Sequence, residues 1–413
     1  MGTKGLIRLL IVLAIAGVIA VIAKFAGSDT GVSTVESKTT NQRTKVFADF
    51  PINDVAAVKI QSKDEALNIL KKDGQWVINE REDFPAQEDR VLDLLKQMWS
   101  VKITQVVPNG AAHLARLELS DPASGKEGET ATVLTFSDAE GKELTSIALG
   151  KIQVTTSSQP NPYTGGASTT DAGRYVKPGG KNSVYLVDTP FKEAAGVDPT
   201  EWITRDFFKV ERHESVALDT GNPKEDWKLE RGDLPKPFDL VDAKKGENLD
   251  TAKISTIKSA FVSPTFTDIY VGDEKPKTDA ATLTLTSFDK LTYTVSVGEK
   301  DEENNRPLAF TVKGDFSEKR EVGEEESEDD KKSLDARFEK LTTERKEKLA
   351  QEQALSKGRV FKVRSSIIDP YLTKRADLLI PPPEPETPPG VDIPGIKPPP
   401  VPPAAVPGAP VGQ

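Results

Sequence analysis

"DGQWVINE", Asp73–Glu80, sets a tryptophan between an Asp-Gly pair and an alternating run. Asp-Gly beside alternating apolar residues is a hairpin signal, because both residues tolerate the positive φ that a two-residue turn demands. "ALNILKK" leads into it, and "AQEDRVLDLLKQMWSV" follows (Ala86–Val101). In that second stretch Val91, Leu94 and Met98 recur at helical spacing. Acidic residues occupy its first turn, where the helix dipole favours them. Trp76 is either an exposed platform for a ring-shaped ligand or the centre of a core, and recurrence of the pattern bears on the choice.

It recurs. "EDWKLERGDLPKPFDLV" (Glu225–Val241) carries Trp227, and the following stretch sets Ile254, Ile257 and Phe261 at a comparable spacing. "ATLTLTSFDKLTYTVSVGEK" then echoes "ATVLTFSDAEGKELTSIALGK", matching Gly298 to Gly150. "RVFKVRSSIIDPYLTKRADLL" echoes "SVYLVDTPFKEAAGVDPTEWITRDFF" and sets Arg375 against Arg205, which invites a buried ion pair at each unit's end. The chain reads as one unit of about 150 residues used twice. A tryptophan repeated between a strand pattern and an amphipathic helix is most simply a core residue; the platform alternative stays open for Trp76, Trp99, Trp202 and Trp227. The core candidates are therefore Trp76, Trp227, Val91, Leu94, Met98, Ile254, Ile257 and Phe261. The fold class expected is α+β: two repeats of mainly antiparallel sheet with packed helices, residues 46–208 and 209–380, plus an N-terminal transmembrane helix.

That helix is read from "MGTKGLIRLLIVLAIAGVIAVIAKFAG" (residues 1–27). Leu9–Ala23 is unbroken apolar sequence, and Leu9, Ile11, Val18 and Val21 exemplify its membrane-facing positions. With Arg8 and Lys24 snorkelling, Leu6–Ala26 approaches the roughly 20 residues that span a bilayer. A cleaved signal peptide ending at "VIA" is the competing reading. Lys4 and Arg8 precede the run, so the positive-inside rule leaves Met1 in the cytoplasm and the body outside. Residues 28–45, polar and Ser/Thr-rich, form a tether.

Two further segments depart from the repeat. Asp315–Lys348 holds 22 charged residues in 34, with a thin stripe of Leu334, Phe338 and Leu341. It is expected as a charged helical insertion (315–357), a solvated hairpin or arm. Residues 381–413 contain 14 prolines and read as a disordered, extended Pro-rich tail.

Composition removes several kinds of chemistry. The absence of cysteine excludes disulfides, thiolate nucleophiles and cysteine-held metals. A net charge of −10 with no basic patch argues against nucleic acid as a partner. His113 and His213 stand alone, without HExxH-type spacing, so no metal site is assigned. No GxSxG motif occurs, and no catalytic residue or cofactor site is assigned. "DEENN" (Asp301–Asn305) lacks the EF-hand spacing and reads as a polar hairpin connection. "NPYTGGASTTDAGRYV" (Asn161–Val176) reads as a long hairpin loop and is the best candidate contact surface of the first unit.

The stretches "FPINDVAAVKI", "DGQWVINEREDFPAQEDRVLDLLKQM", "SIALGK", "RYV" and "SVYLV…ITRDF" resemble the domain of unknown function 4340 family, over roughly Val46–Leu379. That resemblance implies a single-pass bacterial envelope protein, in the inner membrane with its body on the periplasmic side. Some members resemble auxiliary subunits of gliding-motility-type ABC transporters, so a permease or other envelope protein is the implied partner. The family supplies no catalytic residues. The leading expectation is a non-enzymatic, membrane-anchored accessory subunit of an ABC-type transport system. A carbohydrate- or wall-binding module is the alternative, and a carboxylate-based hydrolase a weaker one.

Overall fold

Alternation of apolar with Thr or Ser residues dictates most of the strands. In "ATLTLTS" and "LTYTVSV" every second residue is buried: Leu283 and Leu285 in one run, Leu291, Tyr293, Val295 and Val297 in the other. The threonines between them face outward, as the period-2 geometry of a strand requires. The computed structural model describes residues 44–108, 110–160, 167–259, 261–273, 275–323 and 326–381. Leu9, Ile11, Val18 and Val21, the rest of the anchor, nearly all the tether and the tail beyond residue 381 lie outside these. Among the described residues no helix is long and apolar enough to cross a membrane.

The first sheet contains β1 (Ala57–Gln61), β2 (Ala66–Lys72), β3 (Gln75–Ile78), β4 (Phe84–Pro85), β5 (Ile103–Val107), β6 (Thr132–Ser137), β7 (Glu143–Pro160), β8 (Ala167–Pro178) and β9 (Val184–Val187). Their order is β4-β3-β2-β1-β6-β7-β8-β9-β5. Helix α1 (Glu88–Ser100) lies between β4 and β5 in the chain, and the short α2 (Ala111–Arg116) follows β5. The second sheet contains β10 (His213–Asp219), β11 (Trp227–Glu230), β12 (Asp239–Leu240), β13 (Asp268–Tyr270), β14 (Ala281–Ser287), β15 (Leu291–Val297), β16 (Asn305–Gly314) and β17 (Val360–Arg364). Their order is β12-β11-β10-β14-β15-β16-β17-β13. It carries α3 (Thr251–Lys258), α4 (Glu328–Ser356) and α5 (Ser365–Ile368). Every pair of these strands is antiparallel. The architecture is mixed α and β: two antiparallel sheets with few helices.

The two sheets follow one plan. A hairpin edge leads through a helix to a strand on the far edge (β5, β13), and a four-stranded meander then fills the middle. Details recur at the level of atoms. Arg174 Nε donates to the Gly150 carbonyl at 2.7 Å, and Arg306 Nη1 to the Gly298 carbonyl at 3.0 Å. A Cβ on Gly150 would collide with the carbonyl of Leu117, and one on Gly298 with that of Lys277, so both positions need a residue without a side chain. Each half also closes on itself alike. Gln87 N–H donates to Trp202 O (2.6 Å) and Asp250 N–H to Leu378 O (2.8 Å), tying the end of each half to the start of its helix.

The tryptophans do not share equivalent strands. Trp227 sits in β11, opposite Leu218 of the sheet's central β10, whereas Trp76 sits one strand farther out, in β3, opposite Lys71. The residue at the Trp76 position of the second sheet is Phe238, two residues before Leu240 as Trp76 is two before Ile78. The two tryptophans therefore stand on neighbouring rather than equivalent strands of the common plan. Helical spacing also misplaces Phe261: α3 ends at Lys258, and Phe261 follows it with φ +51°. Its carbonyl accepts from Val210 N–H, as that of Val101 does from Val46 N–H.

One apolar core runs through both halves. The link is Phe207–Phe208, the last residues of the first echo. Phe207 packs on Phe266, Phe310 and Phe361 at centroid separations of 5.1, 5.6 and 4.8 Å. Phe208 packs on Phe261, Tyr293 and Phe310 at 5.1, 5.6 and 4.5 Å.

The charged insertion is a coil followed by one 29-residue helix rather than a helical hairpin. Ser327 caps it, accepting from Asp330 N–H. The C-terminal half of α4 docks on the second sheet: Leu349 and Leu355 touch the core, and Gln353 Nε2 donates to Val312 O at 3.1 Å. Glu352, buried, accepts from the Tyr293 hydroxyl at 2.8 Å. The N-terminal half leaves Leu334 and Leu341 exposed. There Arg320 ties the outgoing coil to the helix through Glu326 and Asp335.

Two measurements check this packing. Phe208→Ala should destabilise the chain by about 3–5 kcal/mol in denaturant titrations, the range for deleting a buried aromatic. Burial pushes the Glu352 carboxyl above its ordinary value of 4.5. The folded chain therefore holds that proton more tightly than the unfolded chain does. Its contribution is complete below pH 4.5 and declines as the pH rises through the folded value. Denaturation midpoints of Glu352→Gln should lack this segment of the pH profile, while the parent chain retains it.

Candidate functional site

The core candidates lie where side chains meet rather than where a ligand would. Trp76, Trp227, Val91, Leu94, Met98, Ile257 and Phe261 are buried, and Ile254 is half-buried against the same core. Trp202 is fully buried, with its indole N–H on Gly196 O at 2.9 Å and the Arg90 guanidinium over its ring. Trp227 likewise donates to Thr373 O at 2.7 Å. These three rings face protein. Trp99 differs, being 49% exposed, with Lys45 Nζ 3.5 Å above its ring centre.

The histidines are apart. His113 lies on α2 and is half-buried; His213 opens β10 and is fully buried. Among the described residues no three His, Asp or Glu side chains gather as a metal site would require. Asp301 is occupied locally, its carboxylate accepting from Asn305 N–H at 2.7 Å, and this backbone hydrogen bond holds its pKa low. Asn304, at φ +62°, makes the turn between β15 and β16.

The densest charge arrangement surrounds the joint between the halves. Arg81, after β3, forms a bidentate pair with Asp268 of β13, at 2.7 and 2.9 Å. Glu82 accepts from Lys275 Nζ and Gly272 N–H, both at 2.8 Å, which together hold its carboxyl low. Arg205 makes no ion pair among the described residues; its guanidinium donates to the carbonyls of Thr200, Phe266 and Thr267. Arg375 does pair, with Glu247 at 2.7 Å. The two arginines do not share a place in the fold: Trp202 and Leu378 are the corresponding residues of the two halves, so Arg205 lies three residues after that point and Arg375 three before it.

Beside the joint opens a polar cleft of about 610 Å³, lined by Thr200, Asp268, Glu303, Asn305, Lys362 and Arg364 among others. Its carboxylates are neutralised: Asp268 by Arg81, and Glu303 by Lys362 Nζ at 2.6 Å. Bonding to Glu303 raises the Lys362 pKa. The carboxyl that burial raises, Glu352, is on the buried side of α4 against Tyr293 and does not line the cleft. The cleft can bind polar groups.

Residues 167–176, read as loop, are strand. β7 and β8 continue past the sheet: β6 pairs with β7 only as far as Leu149, and β9 with β8 only as far as Arg174. Beyond these points Ile152–Pro160 and Ala167–Gly173 pair only with each other, with register shifts along the way. At about 3.3 Å per residue this two-stranded ribbon projects roughly 30 Å. Val154, Thr155, Thr156, Thr169 and Thr170 along it are exposed. Residues 161–166, at its turn, lie outside the described residues. The signal in the sequence was the Thr/Ser run on both sides of the Gly-rich segment, which suits an exposed strand as well as a loop.

The Arg81–Asp268 pair fixes the orientation of the joint, and its side chains are about one-fifth exposed or less. A double-mutant cycle of Arg81→Ala and Asp268→Ala, read by denaturant unfolding, should give a coupling of about 1 kcal/mol.

No curated protein and no solved structure matches the chain significantly. The family model described as "Domain of unknown function (DUF4340)" matches residues 76–287, from β3 of the first sheet to the end of β14 in the second. Just over half of the 413 residues are covered, and the chain belongs to the domain of unknown function 4340 family.

Proposed function

We propose that this protein is a non-enzymatic accessory subunit of an ABC-type transport system. It would be held by one N-terminal helix in the bacterial inner membrane, with its body on the periplasmic side. The observation that carries the reading is the β7–β8 ribbon. Both of its edges leave backbone N–H and C=O groups unpaired by neighbouring strands. Such an edge is a template for a partner's strand, and isolated two-stranded ribbons are marginal on their own. A partner strand would satisfy these groups and stabilise the ribbon by strand addition. The apolar run Leu9–Ala23 and the cations before it support the membrane placement. The neutralised carboxylates of the joint cleft support a binding role over a hydrolytic one.

The test is recovery of the tagged full-length protein from its native membranes in mild detergent. It is run beside a variant in which Thr155–Thr170 is replaced by Asn-Gly, a sequence suited to closing the shortened hairpin. A permease or ATPase subunit should enrich with the full ribbon and fall at least tenfold with the short one, at equal membrane levels of the two proteins. Full-length protein that never enriches a transporter subunit would overturn the transport reading.

A further inference from the structure

The residues by which the chain enters the body carry a feature that folding alone does not account for. Lys45 stands directly opposite Lys102 in an antiparallel bridge, flanked by the Ile103 N–H to Thr44 O bond at 2.8 Å. Like charges set opposite each other across strands repel. Among the described residues neither ammonium group forms an ion pair; that of Lys45 lies over the Trp99 ring instead. In a chain of net charge −10, carboxylates are plentiful, and the nearby ones are engaged elsewhere. Asp93 pairs with Lys96 at 3.2 Å, and Asp188 accepts from the backbone N–H of Lys102 at 3.1 Å.

The same face presents an aromatic ring to solvent: Trp99 is 49% exposed at the end of α1. Lys96 lies one helical turn before Trp99, on the same side of α1. A wide amphipathic ring and three lysines at one place match the two layers of a bilayer interface. The ring suits the upper acyl region, and the ammonium groups suit anionic headgroups.

Position along the chain selects the occupant. If residues 1–27 anchor the protein, as proposed above, seventeen residues (28–44) separate the anchor from this face. Even fully extended they span at most about 60 Å, so the anchor keeps this face, where the chain enters the body, within that distance of the membrane. We propose that the surface formed by Lys45, Trp99 and Lys102 rests on the anionic phospholipid headgroups of that membrane. The contact orients the body and turns the ribbon and the joint cleft to a defined height above the bilayer.

The four tryptophans make the test direct. Trp76, Trp202 and Trp227 are buried at 5%, 0% and 4% exposure, and residues 1–43 and 382–413 contain no tryptophan. Full-length protein is reconstituted into vesicles of equal parts phosphatidylcholine and phosphatidylglycerol, with bromine on the shallow acyl carbons. The bromolipid should quench part of the tryptophan emission. That quenching should vanish in Trp99→Phe and fall at least twofold in the Lys45→Glu/Lys102→Glu double variant or in phosphatidylcholine alone. Trp99 and Lys102 are exposed and Lys45 is half-buried, and matching denaturation midpoints confirm that both variants fold. Vesicle flotation after an alkaline wash reports the anchor separately. Protein that floats but shows no bromolipid quenching, or equal quenching in Trp99→Phe, overturns the proposal and leaves the anchor standing. Protein that fails to float overturns both.

Discussion

The structure depends on two adjacent phenylalanines. Phe207 and Phe208 end the first half of the chain but spend their surface in the second, among Phe261, Phe266, Phe310 and Phe361. Phe84 of the first half meets Phe266 and Phe361 from the opposite side, at 5.7 and 6.1 Å. The halves therefore cannot slide or rotate without opening a dense aromatic core, which is more costly than breaking a polar interface of equal area. The charges around the joint, Arg81 with Asp268 and Glu82 with Lys275, sit at its rim and set orientation more than strength.

Much of this was legible in the residues, for identifiable reasons. Threonine alternation fixed β14 and β15, because a half-buried strand has no other economical pattern. The spacing of Val91, Leu94 and Met98 fixed α1 for the same kind of reason. The echo of Gly150 in Gly298 was visible as a letter match; that both glycines accept an arginine and face a carbonyl was not. The Trp76–Trp227 correspondence misled because β3 and β11 carry similar local patterns although they hold different places in the common plan. Phe261 misled because helical spacing continues past the end of α3 into a turn. Strands as short as β4 and β12 have no periodicity to read, and they exist because the neighbouring strand offers hydrogen bonds.

The functional surfaces were less legible than the core. Burial leaves a trace in periodicity, whereas exposure on an extended ribbon looks like a loop rich in Thr, Ser and Gly. The Lys45–Lys102 opposition could not be read at all, since it depends on the register between the incoming chain and the end of α1. Arg205 and Arg375 show the same limit from another direction. The letters align, but the bonds that close each half put the two arginines on opposite sides of the matched point, and what each side chain bonds is decided by neighbours distant in sequence.

The placement of α4 between β16 and β17 has a consequence for the order in which the protein can be made. β17 supplies Phe361 to the joint, and β13 pairs with no other strand, yet β17 emerges only after the whole 29-residue helix. During synthesis the first half, finished at Phe208, must carry two bare aromatic rings until Phe261 and Phe266 emerge, and Phe207 lacks its last partner, Phe361, for more than 150 further residues. The nascent chain is thus at its stickiest when most of it is already exposed, and it becomes soluble in the full sense only at the last strand.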